Sequence, residues 1–199
     1  VGYLELSLEK QTGNYMIFFP SYEMLSAVYE IARDSNLALV SELVVQEPFM
    51  EEKSREDFLE KFRRKAGKPL IGFCVLGSIF SEGIDLTGES LIGVVIVGTG
   101  LPQICNEREV IREYFDRQQK KGYDYAYRYP GMNKVLQAAG RVIRTAQDTG
   151  TILLMDERFL ERENQKLFPE EWDSYYGVNR QNYGKVLKDF WEERRRRES

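Results

Sequence analysis

The sequence predicts an α/β fold with a mostly parallel central sheet covered by helices on both faces. Three observations carry this expectation. The short apolar runs "YMIFF", "LIGFCVL", "IGVVIV" and "TILLM" are nearly continuous rather than alternating, as strands buried on both faces require. Segments of helical periodicity separate them. Gly, Pro and small polar residues punctuate the junctions, giving the alternation of strand and helix that closes into a layered parallel sheet.

Each element follows in order. "NYMIFFPSYEML" gives a strand over Tyr15–Phe19, broken by Pro20, with Ser21 as N-cap of a helix and Glu23 beside its positive end. Met24, Leu25, Val28 and Ile31 recur at helical spacing to about Arg33. "LALVSELVVQE" reads as a second β-rich run. "EEKSREDFLEKFRRKAG" is an amphipathic helix with Phe58, Leu59 and Phe62 inward and Gly67 as its stop. Leu70–Leu76 and Ile92–Val97 are the third and fourth strands, the latter ending in a Gly-Thr-Gly-Leu-Pro loop. A helix over about Asn106–Gln119 follows. The aromatic stretch "YDYAYRYP" reads as a loop or short buried strand, its tyrosines more suited to packing than to stacking on bases. A helix from about Met132 carries "VLQAAGRVIR", and Thr151–Met155 is the fifth strand. Residues 1–160 form the domain. Residues 161–199 form a charged helical C-terminal extension, anchored by Trp172, Tyr175, Tyr176, Phe190 and Trp191. Parallel sheets bind ligands at the C-terminal ends of their strands. That points to Pro20–Glu23, Gly77–Gly88, Gly98–Gln103 and the helix start near Met132.

Composition removes several chemistries. The chain has 199 residues, 42% hydrophobic and 30% charged, and no histidine, which excludes imidazole acid–base catalysis and histidine zinc sites. Its two cysteines, Cys74 and Cys105, suggest a reducing compartment and fall short of the four thiolates of an iron–sulfur cluster. With 28 basic and 32 acidic residues the net charge is −4, so any contact with nucleic acid must be local or shared with another domain. No apolar run has the length of a membrane span, and the N-terminal segment is no signal peptide. The early first strand suggests a piece of a longer protein.

Two segments carry the chemistry. "GSIFSEGIDLTG", Gly77 to Gly88, places Ser81, Glu82, Gly83 and Asp85 after a buried strand. Read by itself it is an ordinary strand-to-helix loop, or a loop that engages a nucleotide or a facing arginine. "QAAGRVIR", Gln137 to Arg144, sets Arg141 and Arg144 one turn apart on a helix, with Gln137 four residues before Arg141 and Gly140 open to close approach. Guanidiniums hold phosphate in bidentate geometry. The plainer reading pairs both arginines with carboxylates such as Asp85 or Asp156, and the two readings are compatible.

Together "FSEGIDLTG" and "QAAGRVIR" resemble motifs V and VI of superfamily-two helicases, with wording nearest the XPD/DinG branch. "MIFFPSY" resembles that branch's motif IV. "VIVGTGLP" and "MDERF" resemble the strands that follow motifs V and VI. The resemblance runs from about Asn14 to Leu160. It implies a RecA-like three-layer fold, the second of two such domains in an ATP-dependent DNA helicase, with ATP bound between them. ATP and Mg2+ would be held mainly by the first, N-terminal RecA-like domain, and any iron–sulfur cluster would lie outside this chain. Carried over by position, Arg141 and Arg144 would face the γ-phosphate and one or both would act as arginine finger, with Gln137, Gly140, Glu82, Gly83 and Asp85 lining the nucleotide. Asp85 would orient an arginine. Ser21 and Tyr22 would meet single-stranded DNA, and Ser81 and Thr99 are the other candidate strand contacts. The implied setting is the cytoplasm, or the nucleoid in a bacterium.

Departures bound this reading. The chain has no G-x-x-x-x-G-K-[ST] loop and no DEAH-like box. "ILLMDE" mimics a Walker B strand, but it follows motif VI and has no phosphate loop before it, so a structural carboxylate pair is the better reading. "RRRR" near the end reads as a solvated helix tail. The alternative function is a non-catalytic RecA-like module that binds nucleic acid or protein.

Overall fold

A computed structural model describes residues 1–64, 67–81, 86, 90–143 and 148–198, except the side chains of Gln119 and Glu198. Five strands form one all-parallel sheet: β1 (Tyr15–Phe19), β2 (Glu42–Val45), β3 (Leu70–Val75), β4 (Gly93–Val97) and β5 (Thr151–Met155), in the spatial order β2-β3-β1-β4-β5. The helices are α1 (Gly2–Lys10), α2 (Tyr22–Arg33), α3 (Leu37–Val40), α4 (Glu52–Arg63), α5 (Asn106–Gln119), α6 (Tyr129–Ala139), α7 (Arg162–Gln165) and α8 (Tyr183–Glu198).

Period-two alternation sends the strand residues to two cores. Met16, Phe18, Cys74, Val94 and Ile96 pack with Phe58 and Phe62 of α4 and with Met132, Val135 and Ala138 of α6. Tyr15, Ile17, Phe19, Ile71, Phe73 and Val95 pack with Leu4 and Leu8 of α1, Leu25 and Ala32 of α2, and Leu187 and Trp191 of α8. Asn14 fixes the register of three strand starts. Its amide donates to the carbonyls of Phe62 (3.3 Å) and Ser90 (3.1 Å) and accepts from the Leu70 N–H (3.0 Å). The segment 1–13, for which no element was expected, begins as helix α1. There Ser7 Oγ shares a 2.8 Å hydrogen bond with the Tyr183 hydroxyl of α8.

Several expectations are corrected. In α2 the buried stripe is Leu25, Val28, Tyr29 and Ala32, whereas Met24 and Ile31 are 42% and 62% exposed. The second β-rich run divides. Ser35 Oγ accepts from the Leu37 N–H, Leu37–Val40 coil into a helical turn, and the strand begins only at Glu42. Helix α4 ends at Arg63, so Gly67 lies beyond its cap.

The aromatic stretch is helical, neither loop nor strand. Asp124–Arg128 form a π-helical turn that continues directly into α6. An Arg128–Asp124 ion pair spans the turn, Tyr125 stacks on Phe115 of α5 at 3.9 Å, and Arg108 of α5 donates to the Ala126 carbonyl at 2.7 Å. The tyrosines therefore serve packing against α5. Among them Tyr127 donates to Glu109 Oε1 at 2.5 Å, and this bond to a carboxylate, with burial second, pushes its phenol up to about 12. A raised folded value contributes stability that is fully present below the ordinary phenol value of 10.0 and is lost as pH rises towards 12. Tyr127→Phe is expected to melt lower than wild type at neutral pH, with the gap closing between pH 10 and 12. A gap that persists at pH 12 would refute this.

Candidate functional site

The candidate residues divide between the C-terminal strand ends and the far end of α6. At the first location, Ser21 caps α2 as expected, its Oγ accepting from the Met24 N–H at 3.2 Å, and it is exposed. Tyr22 is half-buried and its hydroxyl accepts from Gln46 Nε2 at 2.8 Å. Burial pushes the Tyr22 phenol above its ordinary value, and the Gln46 hydrogen bond opposes that shift. Thr99 follows β4 and is 4% exposed, and its hydroxyl finds no hydrogen-bond partner among the described residues. Ser81 is fully buried, with Oγ donating to the Ser78 carbonyl at 2.8 Å. In this conformation neither Thr99 nor Ser81 offers its hydroxyl to a strand lying on the surface.

Helix α6 leads away from this edge. Its Gly131 abuts the backbone of Thr99 and Gly100, just past the C-terminal end of β4. Val142, past its other end, lies against Gly150 and Ile92, which immediately precede β5 and β4. Eleven helical residues at 1.5 Å rise cover about 16 Å, as do five strand residues at about 3.3 Å. So α6 runs antiparallel to the strands, and Arg141 sits towards their N-terminal ends. A rule that favours C-terminal strand ends does not reach this position.

The helix also stops earlier than its periodicity suggests. Gly140 is the cap, and Arg141 and Val142 form a tighter turn, their N–H groups donating to Ala138 and Ala139 carbonyls at 3.2 Å each. Among the described residues only the helix's own carbonyls lie within 4 Å of a Cβ added at Gly140, which also ends the helix. Gln137 is exposed and contributes its backbone carbonyl, which accepts from Arg141 Nε at 3.3 Å. The same Nε donates to the Ser81 carbonyl at 3.1 Å. The motif VI turn is thereby tied to the loop that opens motif V. Glu82, Gly83, Asp85 and Arg144 lie outside the described residues, and so does the expected pairing of Asp85 with an arginine.

Asp156, expected as a strand-end carboxylate that anchors an arginine, anchors Arg158. Its carboxylate holds Arg158 through two bonds of 2.8 and 2.7 Å and accepts from the Arg158 N–H. These bonds, the side-chain pair first, lower its carboxyl below the ordinary value. Two residues passed over in the sequence lie behind the site: Gln46, 4% exposed at the end of β2, and Ser78, after β3. A lone glutamine closing the apolar run "LVVQ" was the available signal. Among the described residues, no group of three or more Cys, Asp or Glu is placed to hold a metal, and no helix is long and apolar enough to cross a membrane.

Comparison with known proteins places this geometry. Residues 4–175 match the model of the helicase C-terminal domain. The chain belongs to this family. It is 29% identical to human regulator of telomere elongation helicase 1 over 92% of this chain and 17% of that protein. It is 28% identical to a probable ATP-dependent helicase of Methanocaldococcus jannaschii over 76% of this chain and 24% of that protein. The chain thus spans about a fifth of the length of these relatives. A solved XPD helicase superposes with a TM-score of 0.62 at 24% identity, covering 82% of this chain and 28% of that structure. The C-terminal domain of the DEAD-box protein Dbp5 superposes at 0.52 with 14% identity, covering 94% of this chain and 90% of that one. These likenesses make the fold a RecA-like helicase domain.

Proposed function

We propose that this domain is the second half of an ATP-driven DNA motor. ATP and Mg2+ would be held mainly by an N-terminal RecA-like domain of the same protein. Arg141 would reach the phosphates across the cleft, and the loop after β1 would lie along single-stranded DNA. The observation that carries this reading is the anchoring of Arg141. A helix that ends one residue early, at a glycine cap, delivers a half-buried guanidinium whose Nε is fixed by two carbonyls. A guanidinium has five N–H donors, so fixing Nε orients a planar fork suited to phosphate oxygens. A fixed positive charge of this kind stabilises the charge that develops in phosphoryl transfer, and it needs no reorganisation at the moment of reaction. Such a motor would work in the cytoplasm, at the nucleoid in a bacterium.

The test is ATP hydrolysis by the full-length protein with and without single-stranded DNA. Stimulation by DNA is expected, with almost none by residues 1–199 alone. A full-length protein that binds DNA but hydrolyses no ATP would favour the interaction module instead.

A further inference from the structure

The two halves of the site are joined through part-buried hydrogen bonds that converge on Gln46. Its backbone N–H extends the ladder to the Phe73 carbonyl at 2.8 Å, which fixes where its side chain enters the protein. Its Nε2 donates to the Tyr22 hydroxyl at 2.8 Å. Its Oε1 accepts two bonds, from the Val75 N–H at 2.9 Å and from Ser78 Oγ at 3.0 Å. The Ser78 carbonyl in turn accepts from both the N–H and the Oγ of Ser81, at 2.9 and 2.8 Å. The Ser81 carbonyl receives Arg141 Nε.

No other described side chain bridges the loop after β1 to the loop after β3 in this way. An amide is the chemistry the place demands. One end must accept from an N–H and a hydroxyl, and the other must donate to a phenol. Gln46 itself is 4% exposed, so its amide depends on these protein partners. The turn from Ser78 to Ser81 then behaves as one body, gripped by Gln46 at one end and gripping Arg141 at the other.

We propose that Gln46 is a positioning residue that couples the strand-binding loop at Tyr22 to the Arg141 turn. It touches neither nucleotide nor DNA. A strand pressing on Tyr22 moves the Gln46 amide, and the Ser78–Ser81 turn carries that movement to the guanidinium. This inference rests on the motor reading and adds the route by which DNA would stimulate hydrolysis.

The readout is the ratio of DNA-stimulated to basal ATP turnover in the full-length protein, a quantity that general loss of packing does not move selectively. Gln46→Leu fills the same volume and removes every side-chain bond. It is expected to lower that ratio about tenfold, with basal turnover within about threefold of wild type. Ser78→Ala removes the bond to Gln46 and a longer one of 3.4 Å from the Phe80 N–H, at a half-buried position, and it is expected to lower the ratio about threefold or more. If Gln46→Leu does not fold, Ser78→Ala decides. A wild-type ratio in Ser78→Ala, or in a folded Gln46→Leu, overturns the coupling and leaves the motor reading intact. Absence of DNA-stimulated turnover in the wild-type protein overturns the motor reading, and the coupling with it.

Discussion

Replacing Arg141 with alanine in the full-length protein is expected to lower DNA-stimulated ATP turnover by about 10³-fold or more, the scale on which removal of an arginine finger acts. Affinity for single-stranded DNA should stay within about threefold. The separation follows from geometry. Tyr22 and Ser21 lie at the C-terminal end of β1, whereas Arg141 follows a helix that runs back about 16 Å along the sheet. The charge lost is therefore remote from the proposed strand contact. Alanine also frees the carbonyls of Ser81, which is buried, and of Gln137, which is exposed. Melting temperature is the control for any structural part of these bonds. Arg141→Lys is the sharper control. It keeps the charge and loses both the Nε bond and the planar fork, so most of the loss should remain. Turnover in Arg141→Ala within about threefold of wild type would remove the finger assignment, and a collapsed melting temperature would mean that the arginine is structural.

The residues that were legible in the sequence are those whose burial has a single cause. β5 and α5 occupy the expected spans, and Ser21 caps α2 as its position after Pro20 implies. Strands buried on both faces advertise themselves as apolar runs, and a cap needs only its own neighbours. What was illegible depends on distant partners. Met24 and Ile31 share the helical spacing of Leu25 and Val28, so periodicity alone could not show that the buried side of α2 turns towards Tyr29 and Ala32. The tyrosines of the π turn became helical because α5 supplies Phe115, Arg108 and Glu109 as partners. Gln46 has only a faint local signature, a lone glutamine closing an apolar run. Its importance comes from bonds to residues 24, 29 and 32 positions away. That Gly140 ends α6 was not legible either, because a glycine inside an apolar helix and a glycine that ends one look alike without the turn that follows.

Gly100 and Gly131 permit the close approach of α6 to the loop after β4, and their replacement is expected to lower stability by several kelvin of melting temperature or more. A Cβ on Gly131 would lie 2.7 Å from the Thr99 carbonyl and 3.1 Å from the Leu101 nitrogen, both backbone atoms that no rotamer change can withdraw. Alanine in a helix gains about 1 kcal/mol over glycine, so Gly131→Ala sets a propensity gain against a steric cost. Overpacking costs about 1–3 kcal/mol even where side chains can adjust, and here the loop itself must shift. The net effect should be destabilising. At Gly100 both terms act in one direction. The added Cβ meets the Gly131 carbonyl at 2.7 Å, and φ is +66°, a conformation that costs an L-residue about 1–2 kcal/mol. Gly177 provides the contrast, with nothing within 4 Å of an added Cβ. Thermal unfolding should rank Gly100→Ala lowest, Gly131→Ala next and Gly177→Ala close to wild type, with about 2–4 °C lost per kcal/mol in a chain of this size. Because Gly131 seats the start of α6 and Arg141 follows its end, a helix lifted from the loop would carry the guanidinium with it. Gly131→Ala should therefore slow ATP turnover in the full-length protein even at temperatures where it remains folded. A Gly131→Ala variant more stable than wild type would show that propensity wins, and that the contact between α6 and the loop after β4 is not tight enough to hold the turn in place.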